Sequence, residues 1–297
     1  AGNMVLPAVV LVSGAVLLLV VSPVLIFGWG PIPALGIKGA GLALVLYYAV
    51  GSAVLLGSLL RGKGGLRLSL RHRLRGALFR EILGIGALGA FNNVLTNSAV
   101  VLATGMVGVF GTNTLAGFGL GIRVEYLQIP LVFGIGSAMV PMVGMNVGAG
   151  QLARARRVAW TGALVAVAIT ETVGTLVAVF PEAWLRLFTG DDAAIVAGTA
   201  YLRQVGPFYG FFGLNLALFF ASQGAGRMVL PTVAALLRLG VIVAGGSIAM
   251  TAGGGFAALL VVIVLGHVAS AATNCLNWIR RAPLNPAASL ASEVIGP

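Results

Sequence analysis

Apolar residues run along this chain in unbroken stretches of about twenty positions or more, separated by short segments rich in Gly, Pro, Asn or Arg. No alternation of apolar and polar positions is sustained, which argues against the strands of a closed membrane barrel. A helix needs about twenty apolar residues to cross a bilayer core. On that rule the pattern predicts eight transmembrane helices, at 4–27, 38–60, 82–108, 114–142, 157–181, 194–222, 228–250 and 255–279. Gly28-Trp-Gly-Pro-Ile-Pro33 predicts a turn with an interfacial Trp, and Phe110-Gly-Thr-Asn-Thr114 a short polar hairpin. Pro181-Glu-Ala-Trp-Leu-Arg-Leu-Phe188 reads as an amphipathic segment lying at the interface, ahead of the acidic Asp191-Asp192.

A second pattern overlies the first. Ala1-Gly-Asn-Met-Val-Leu-Pro7 returns as Ala225-Gly-Arg-Met-Val-Leu-Pro231, and each copy leads into two apolar spans followed by basic residues. So long a spacing is wrong for a solenoid but right for a duplicated block of membrane helices, as in secondary transporters. Helices one and two then match helices seven and eight, and one repeat holds six. The expected organisation is 1–60 as the last two helices of a first lobe, 61–81 as a basic cytoplasmic linker, 82–281 as a complete six-helix second lobe, and 282–297 as a disordered tail. On this reading four further helices are expected before Ala1.

Composition supports an all-α integral membrane bundle. With 59% hydrophobic and 8% charged residues and a mean hydropathy of +1.05, the chain has too little polar surface for a water-soluble globule. The 44 glycines suit membrane helices, where small residues let backbones approach. A net charge of +11 would suit a nucleic-acid binder, but seven of the eighteen Lys and Arg lie between Arg61 and Arg80, and others at Arg154, Arg156, Arg157, Arg280 and Arg281, all beside apolar spans. Placing the 61–81 loop in the cytoplasm puts thirteen basic residues inside and only Lys38 and Arg186 outside. Both chain ends are therefore expected in the cytoplasm of a multi-pass plasma-membrane protein, with no nucleic-acid partner. The lone Cys275 makes no intrachain disulfide, and Met4 to Phe27 is too long for a cleavable leader.

Three groups of motifs resemble the multidrug and toxin extrusion (MATE) family. They are Ser22-Pro-Val-Leu-Ile-Phe-Gly28 with Leu35-Gly-Ile-Lys-Gly-Ala40; Gly144-Met-Asn-Val-Gly-Ala-Gly-Gln151 with Ala153-Arg-Ala-Arg156; and Ala221-Ser-Gln-Gly-Ala-Gly226 leading to Pro231. In order, the chain looks like that family's fifth to twelfth helices. The resemblance implies a monomeric antiporter of a bacterial inner membrane. Two six-helix lobes would rock about a central cavity, a small organic cation leaving as Na⁺ or H⁺ enters, with no other cofactor. Several family members carry carboxylates on the helices matching 82–108 and 194–222; this chain has none in the body of either, so that cation site does not carry over.

Ionisable side chains within a span are costly and are functional candidates by default. Arg123 and Glu125, two residues apart, diverge by about 200° on a helix and do not pair with each other. Glu125 has two readings: a carboxylate exchanging H⁺ or Na⁺ for an organic cation, or one half of an interhelical ion pair; Arg123 reads as structural. Glu171 is a second candidate carboxylate. Arg238, mid-span, needs a carboxylate or several carbonyls, with Glu171 or Glu125 the choices, whereas Arg203 can snorkel. Asn93, Thr96 and Asn97 share one helical face suited to a cavity wall, with Glu125 and Asn97 as possible Na⁺ contacts, and Asn92 adds to this polar density. Tyr209 with Phe208, Phe211 and Phe212 reads either as an aromatic wall for a flat cation or as packing. Pro130, Pro141 and Pro207 are candidate kinks. His267 reads as a core imidazole bonded to Ser270 or a carbonyl, and Gly144 to Gly150 as a cytoplasmic turn rather than a phosphate loop.

Ion-coupled efflux leads. The alternatives are a flippase for a polyprenyl-linked sugar, which would use Arg123, Arg203 and Arg238 against pyrophosphate, an acyltransferase using His267, and a membrane scaffold that transports nothing.

Overall fold

In lipid a backbone must satisfy its own hydrogen bonds, and every regular element among the described residues is a helix. A computed structural model describes residues 5–29, 33–61 and 76–279. The first copy of the repeated heptapeptide as far as Met4, the basic stretch 62–75, Arg280-Arg281 and the tail lie outside the described residues. The chain divides into two compact units, Ala1–Arg75 and Gly76–Pro297.

The first unit is a helical hairpin of α1 (Val5–Phe27) and α2 (Ile37–Leu60). Leu35 and Gly36 donate their N–H groups to the carbonyls of Leu25 and Ile26 at 3.1 Å each, which fixes where α2 turns back.

The second unit comprises α3 (Gly76–Gly108), α4 (Thr112–Gly148), α5 (Leu152–Val179), the short α6 (Pro181–Leu185), α7 (Asp192–Val205), α8 (Tyr209–Gly224), α9 (Val229–Gly240), α10 (Gly246–Thr251) and α11 (Phe256–Ile279). Seven helical stretches among the described residues are long and apolar enough to cross a membrane. The helix predicted at 82–108 forms α3, 33 residues long.

Two predicted spans are interrupted. Pro207 lacks an N–H and removes one helical hydrogen bond, and the span 194–222 runs as α7, a single 3-10 turn at Gly206–Phe208, and α8. The span at 228–250 passes through one π turn, Val241–Gly245, between α9 and α10. Pro130 and Pro141, by contrast, lie inside the continuous α4. The expected turn at Gly144–Gly150 is also corrected: Gly144 to Gly148 belong to α4, and the reversal is confined to Ala149–Gln151, where Gly150 takes φ 69°. Glycines that accompany good helix formers in a packed face do not by themselves end a helix. The segment at Pro181 forms α6 with Pro181 and Leu185 buried, and Trp184 Nε1 donates to the Leu120 carbonyl at 3.0 Å.

Small residues bring the helices together. Ala155, Ala159, Ala163, Ala166, Thr170 and Gly174 form the buried stripe of α5, so α5 can approach α8 and the turn before it closely. At the end of that stripe a β-carbon on Gly174 would run into the Gly206 carbonyl. Gly174→Ala is expected to lower stability by about 1–3 kcal/mol, the usual cost of overpacking. Gly119→Ala, with nothing within 4 Å of the added carbon, should leave thermal unfolding of the micelle-solubilised protein unchanged or slightly improved.

Candidate functional site

The buried face of α4 includes Gly117, Phe118, Gly121, Val124, Glu125 and Gln128, the spacing of one side of a helix. Gly121 has no side chain, and the Tyr201 ring packs where one would be. One turn on, the same face presents Glu125 to the bundle interior.

Two basic side chains meet Glu125 there. Arg238, near the end of α9, brings Nη2 within 3.5 Å of Glu125 Oε1, and His267, midway along α11, brings Nε2 within 3.5 Å of the same oxygen. Glu125 is 6%, Arg238 5% and His267 3% exposed, so none reaches water by snorkelling. Gly266 of α11 faces Arg238, where an added β-carbon would meet Cγ in ordinary contact at 3.4 Å. The π turn begins three residues after Arg238, and such turns recur at functional sites.

The hydrogen bonds of His267 constrain its protons. Nδ1 lies 3.0 Å from the Ile263 carbonyl; a carbonyl only accepts, so Nδ1 carries a hydrogen. Nε2 then faces a carboxylate oxygen, and that contact is favourable only with one proton between the two atoms. Without it, the cluster of Arg238, Glu125 and neutral His267 is formally neutral, with two lone pairs opposed. With it, the cluster carries one positive charge.

Polar groups continue from this point. Along α11, His267, Ser270, Asn274 and Asn277 are all buried on one face. Asn274 Nδ2 donates to Asn215 Oδ1 at 2.7 Å, and Asn277 Nδ2 to the Ser222 hydroxyl at 2.9 Å, which also accepts from Trp278 Nε1 at 3.0 Å. Gln128, fully buried one turn after Glu125, has no partner for either amide atom among the described residues, and neither do Arg238 Nε and Asn274 Oδ1. The Tyr201 and Tyr209 hydroxyls are 3.5 Å apart and buried.

Of the residues singled out in the sequence, Glu125, Arg238 and His267 come together, and Glu125 rather than Glu171 faces Arg238. His267 bonds to a carbonyl as expected, while Ser270 donates to the His267 carbonyl rather than to its ring. Arg123 and Glu125 do diverge: Arg123 is exposed, its guanidinium 5.2 Å from the Phe188 ring centre. Glu171 has a different task. Its Oε2 accepts from the Gly210 N–H at 2.7 Å, satisfying the start of α8 that Pro207 leaves open and placing a negative charge at a helix N-terminus.

Asn93 and Asn97 are exposed on α3 and Thr96 is partly so; Asn97 Nδ2 bonds back to the Asn93 carbonyl at 2.8 Å. None of the three bonds to the Glu125 cluster, and the structure does not bring Glu125 and Asn97 together around one ion. Asn92 turns inward and donates to the Pro231 carbonyl at 2.9 Å, tying α3 to the second copy of the repeat. The aromatic group separates: Phe208 and Phe211 stack and are exposed, Phe212 meets the edge of His267, and Tyr209 turns to Tyr201. Sequence reasoning missed Gln128 and the seam of Ser270, Asn274 and Asn277. Their signal was polar spacing of three and four residues on from Glu125 and His267.

Comparison with known proteins places this arrangement among transporters. The sequence profile of the MatE family matches residues 90–248. A probable multidrug resistance protein NorM of Deinococcus radiodurans is 31% identical over 244 residues, covering 78% of this chain and 52% of its own. The corresponding protein of Thermotoga maritima is 27% identical, covering 72% and 46%, and a FAD transporter of Shewanella oneidensis 25%, covering 78% and 52%. The chain thus spans about half the length of the curated relatives it matches. In fold it is similar to a MOP superfamily transporter from Pyrococcus furiosus, with TM-score 0.83 at 20% identity over 91% of this chain and 61% of that one. It is also similar to the Vibrio cholerae MATE transporter VcmN in its bent form, with TM-score 0.77 at 20% identity over 99% and 64%.

Two stability predictions follow from the geometry. Arg238→Met leaves a buried carboxylate with one partner and is expected to cost about 3–5 kcal/mol, while Glu125→Leu combined with Arg238→Met recovers most of that; denaturant unfolding of the three proteins in one detergent checks it. Glu171→Ala is expected to lower stability by about 1–2 kcal/mol, as losing a helix cap does, and Glu171→Gln, which keeps an acceptor, by less than half as much.

Proposed function

This chain belongs to the MatE family, the multidrug and toxin extrusion transporters, and from that premise we propose that the protein exports small organic cations across a bacterial inner membrane in exchange for protons. It is a multi-pass membrane protein, and the proposed mechanism is alternating access of two helical lobes. The observation that carries the proposal is the buried Glu125 oxygen shared between Arg238 and His267 at 3.5 Å each.

The composition of that cluster favours H⁺ over Na⁺. Hard cations are held by several oxygens at short range, whereas here one carboxylate oxygen faces a guanidinium and an imidazole, and a Na⁺ beside it would lie against a fixed positive charge. A proton needs only the Glu125 Oε1 and His267 Nε2 pair. In this scheme loading the cluster adds one positive charge to the second unit, which disfavours a cationic substrate and favours its release. Unloading restores the substrate-binding state. The names of the NorM relatives, probable multidrug resistance proteins, support a drug-like small-molecule cargo.

The test is ethidium transport in vesicles containing the full-length protein, with imposed pH and Na⁺ gradients. A pH gradient should drive transport and a Na⁺ gradient alone should not. Glu125→Gln and His267→Leu should each cut the gradient-driven component by about tenfold or more, the scale of one lost proton-transfer group, while both proteins still bind ethidium. Transport driven by Na⁺ alone, or unchanged in both variants, would overturn the proposal.

A further inference from the structure

The first turns of α5 divide their arginines between two faces. Arg156 turns inward, and its Nη2 donates to the Ile279 carbonyl at 2.9 Å, closing the end of α11. Arg154 and Arg157, three residues apart on a different face, are exposed, and neither has a carboxylate partner among the described residues. Both line the mouth of a groove of about 590 Å³ between α4 and α5, within the size range of small-molecule sites. Its other walls are almost wholly apolar, with Ile135, Ala138 and Met142 contributed by α4. Gly162 shapes its inner end, since a β-carbon there would strike Met139. Among the described residues no acidic side chain lines it.

Position adds to this chemistry. The reversal at Ala149–Gln151 joins two membrane-spanning helices and so lies at a membrane surface. Arg154 and Arg157 stand one to two turns inside α5, at headgroup level, and from Arg154 to Gly162 the groove descends about 12 Å towards the hydrocarbon. Guanidinium groups hold phosphodiesters through paired N–H donors, and basic pockets between membrane helices select anionic headgroups. An apolar channel continuing below two unpaired arginines matches a molecule that is anionic at one end and hydrocarbon at the other.

We propose that the α4–α5 groove is a binding site for one anionic phospholipid, its phosphate held by Arg154 and Arg157 and one acyl chain lying along Ile135, Ala138 and Met142. The lipid brackets the α4–α5 turn from outside, as Arg156 ties α5 to α11 from inside.

The experiment is native mass spectrometry of the full chain released from micelles containing equal amounts of phosphatidylglycerol and phosphatidylcholine of identical acyl chains. Phosphatidylglycerol adducts are expected to exceed phosphatidylcholine adducts by about tenfold, and Arg154→Ala with Arg157→Ala to bring the two close to equal. Arg154→Lys with Arg157→Lys, which keeps both charges, should retain most of the preference and guards against loss through misfolding. Ala138→Trp, which fills the groove and leaves both arginines in place, should lower retention of phosphatidylglycerol several-fold. Equal retention of the two lipids by the unaltered chain, or a preference that survives the paired alanine change, would overturn the assignment. So would retention unaffected by Ala138→Trp, because surface charge alone would then explain it.

Discussion

A carboxylate cannot stand alone in hydrocarbon, and the packing of α4, α9 and α11 is organised by where Glu125 finds its counter-charges. Isolated burial of an ion costs several kcal/mol even after relaxation. Arg238 on α9 and His267 on α11 both approach one oxygen of Glu125, so three helices converge on one atom. Gly121 leaves room on the same face of α4 for the Tyr201 ring. At 3.5 Å these contacts are at the long limit for hydrogen bonds. The cluster is therefore held together by charge more than by hydrogen-bond geometry.

The same constraint explains the break in the middle of the unit. Pro207 interrupts the span between α7 and α8, and a broken helix in a membrane leaves amides that water cannot reach. Glu171 takes one of them, the Gly210 N–H, and the absence of a side chain on Gly210 lets the carboxylate approach. Both acidic residues in the bodies of these spans are thus committed to named partners. They differ in kind: Glu171 serves a backbone amide, whereas Glu125 faces two basic side chains.

Much of this was legible in the sequence where one physical rule dominated. Long apolar runs specify membrane helices, the divergence of Arg123 and Glu125 follows from the helical period, and Arg238 was recognisable as a buried cation in need of an acid. Where two rules compete, the sequence was less informative. Gly144 to Gly148 resembled a turn by composition, yet the residues between the glycines continue α4 and only Gly150 takes a positive φ. The aromatic residues from Phe208 to Phe212 looked like one surface, but a helix places consecutive residues about 100° apart: Phe208 and Phe211 stack together, while Tyr209 turns to Tyr201 and Phe212 to His267. The seam on α11 was overlooked because Ser270, Asn274 and Asn277 are common polar residues one by one; only their shared face, at His267's spacing, distinguishes them.

The fate of the basic residues bears on what the protein carries. Recognition of a pyrophosphate-linked lipid in a central cavity would require several guanidiniums aimed at one point. Here Arg238 is committed to Glu125, Arg123 lies over Phe188, and Arg203 is exposed near the end of α7, so the three do not converge. The exposed arginines that do share a face, Arg154 and Arg157, stand at a membrane surface beside an apolar groove. An acyl-transfer role for His267 meets a similar obstacle, since its Nδ1 is held by a carbonyl and its Nε2 by Glu125, leaving no nitrogen to activate an acceptor.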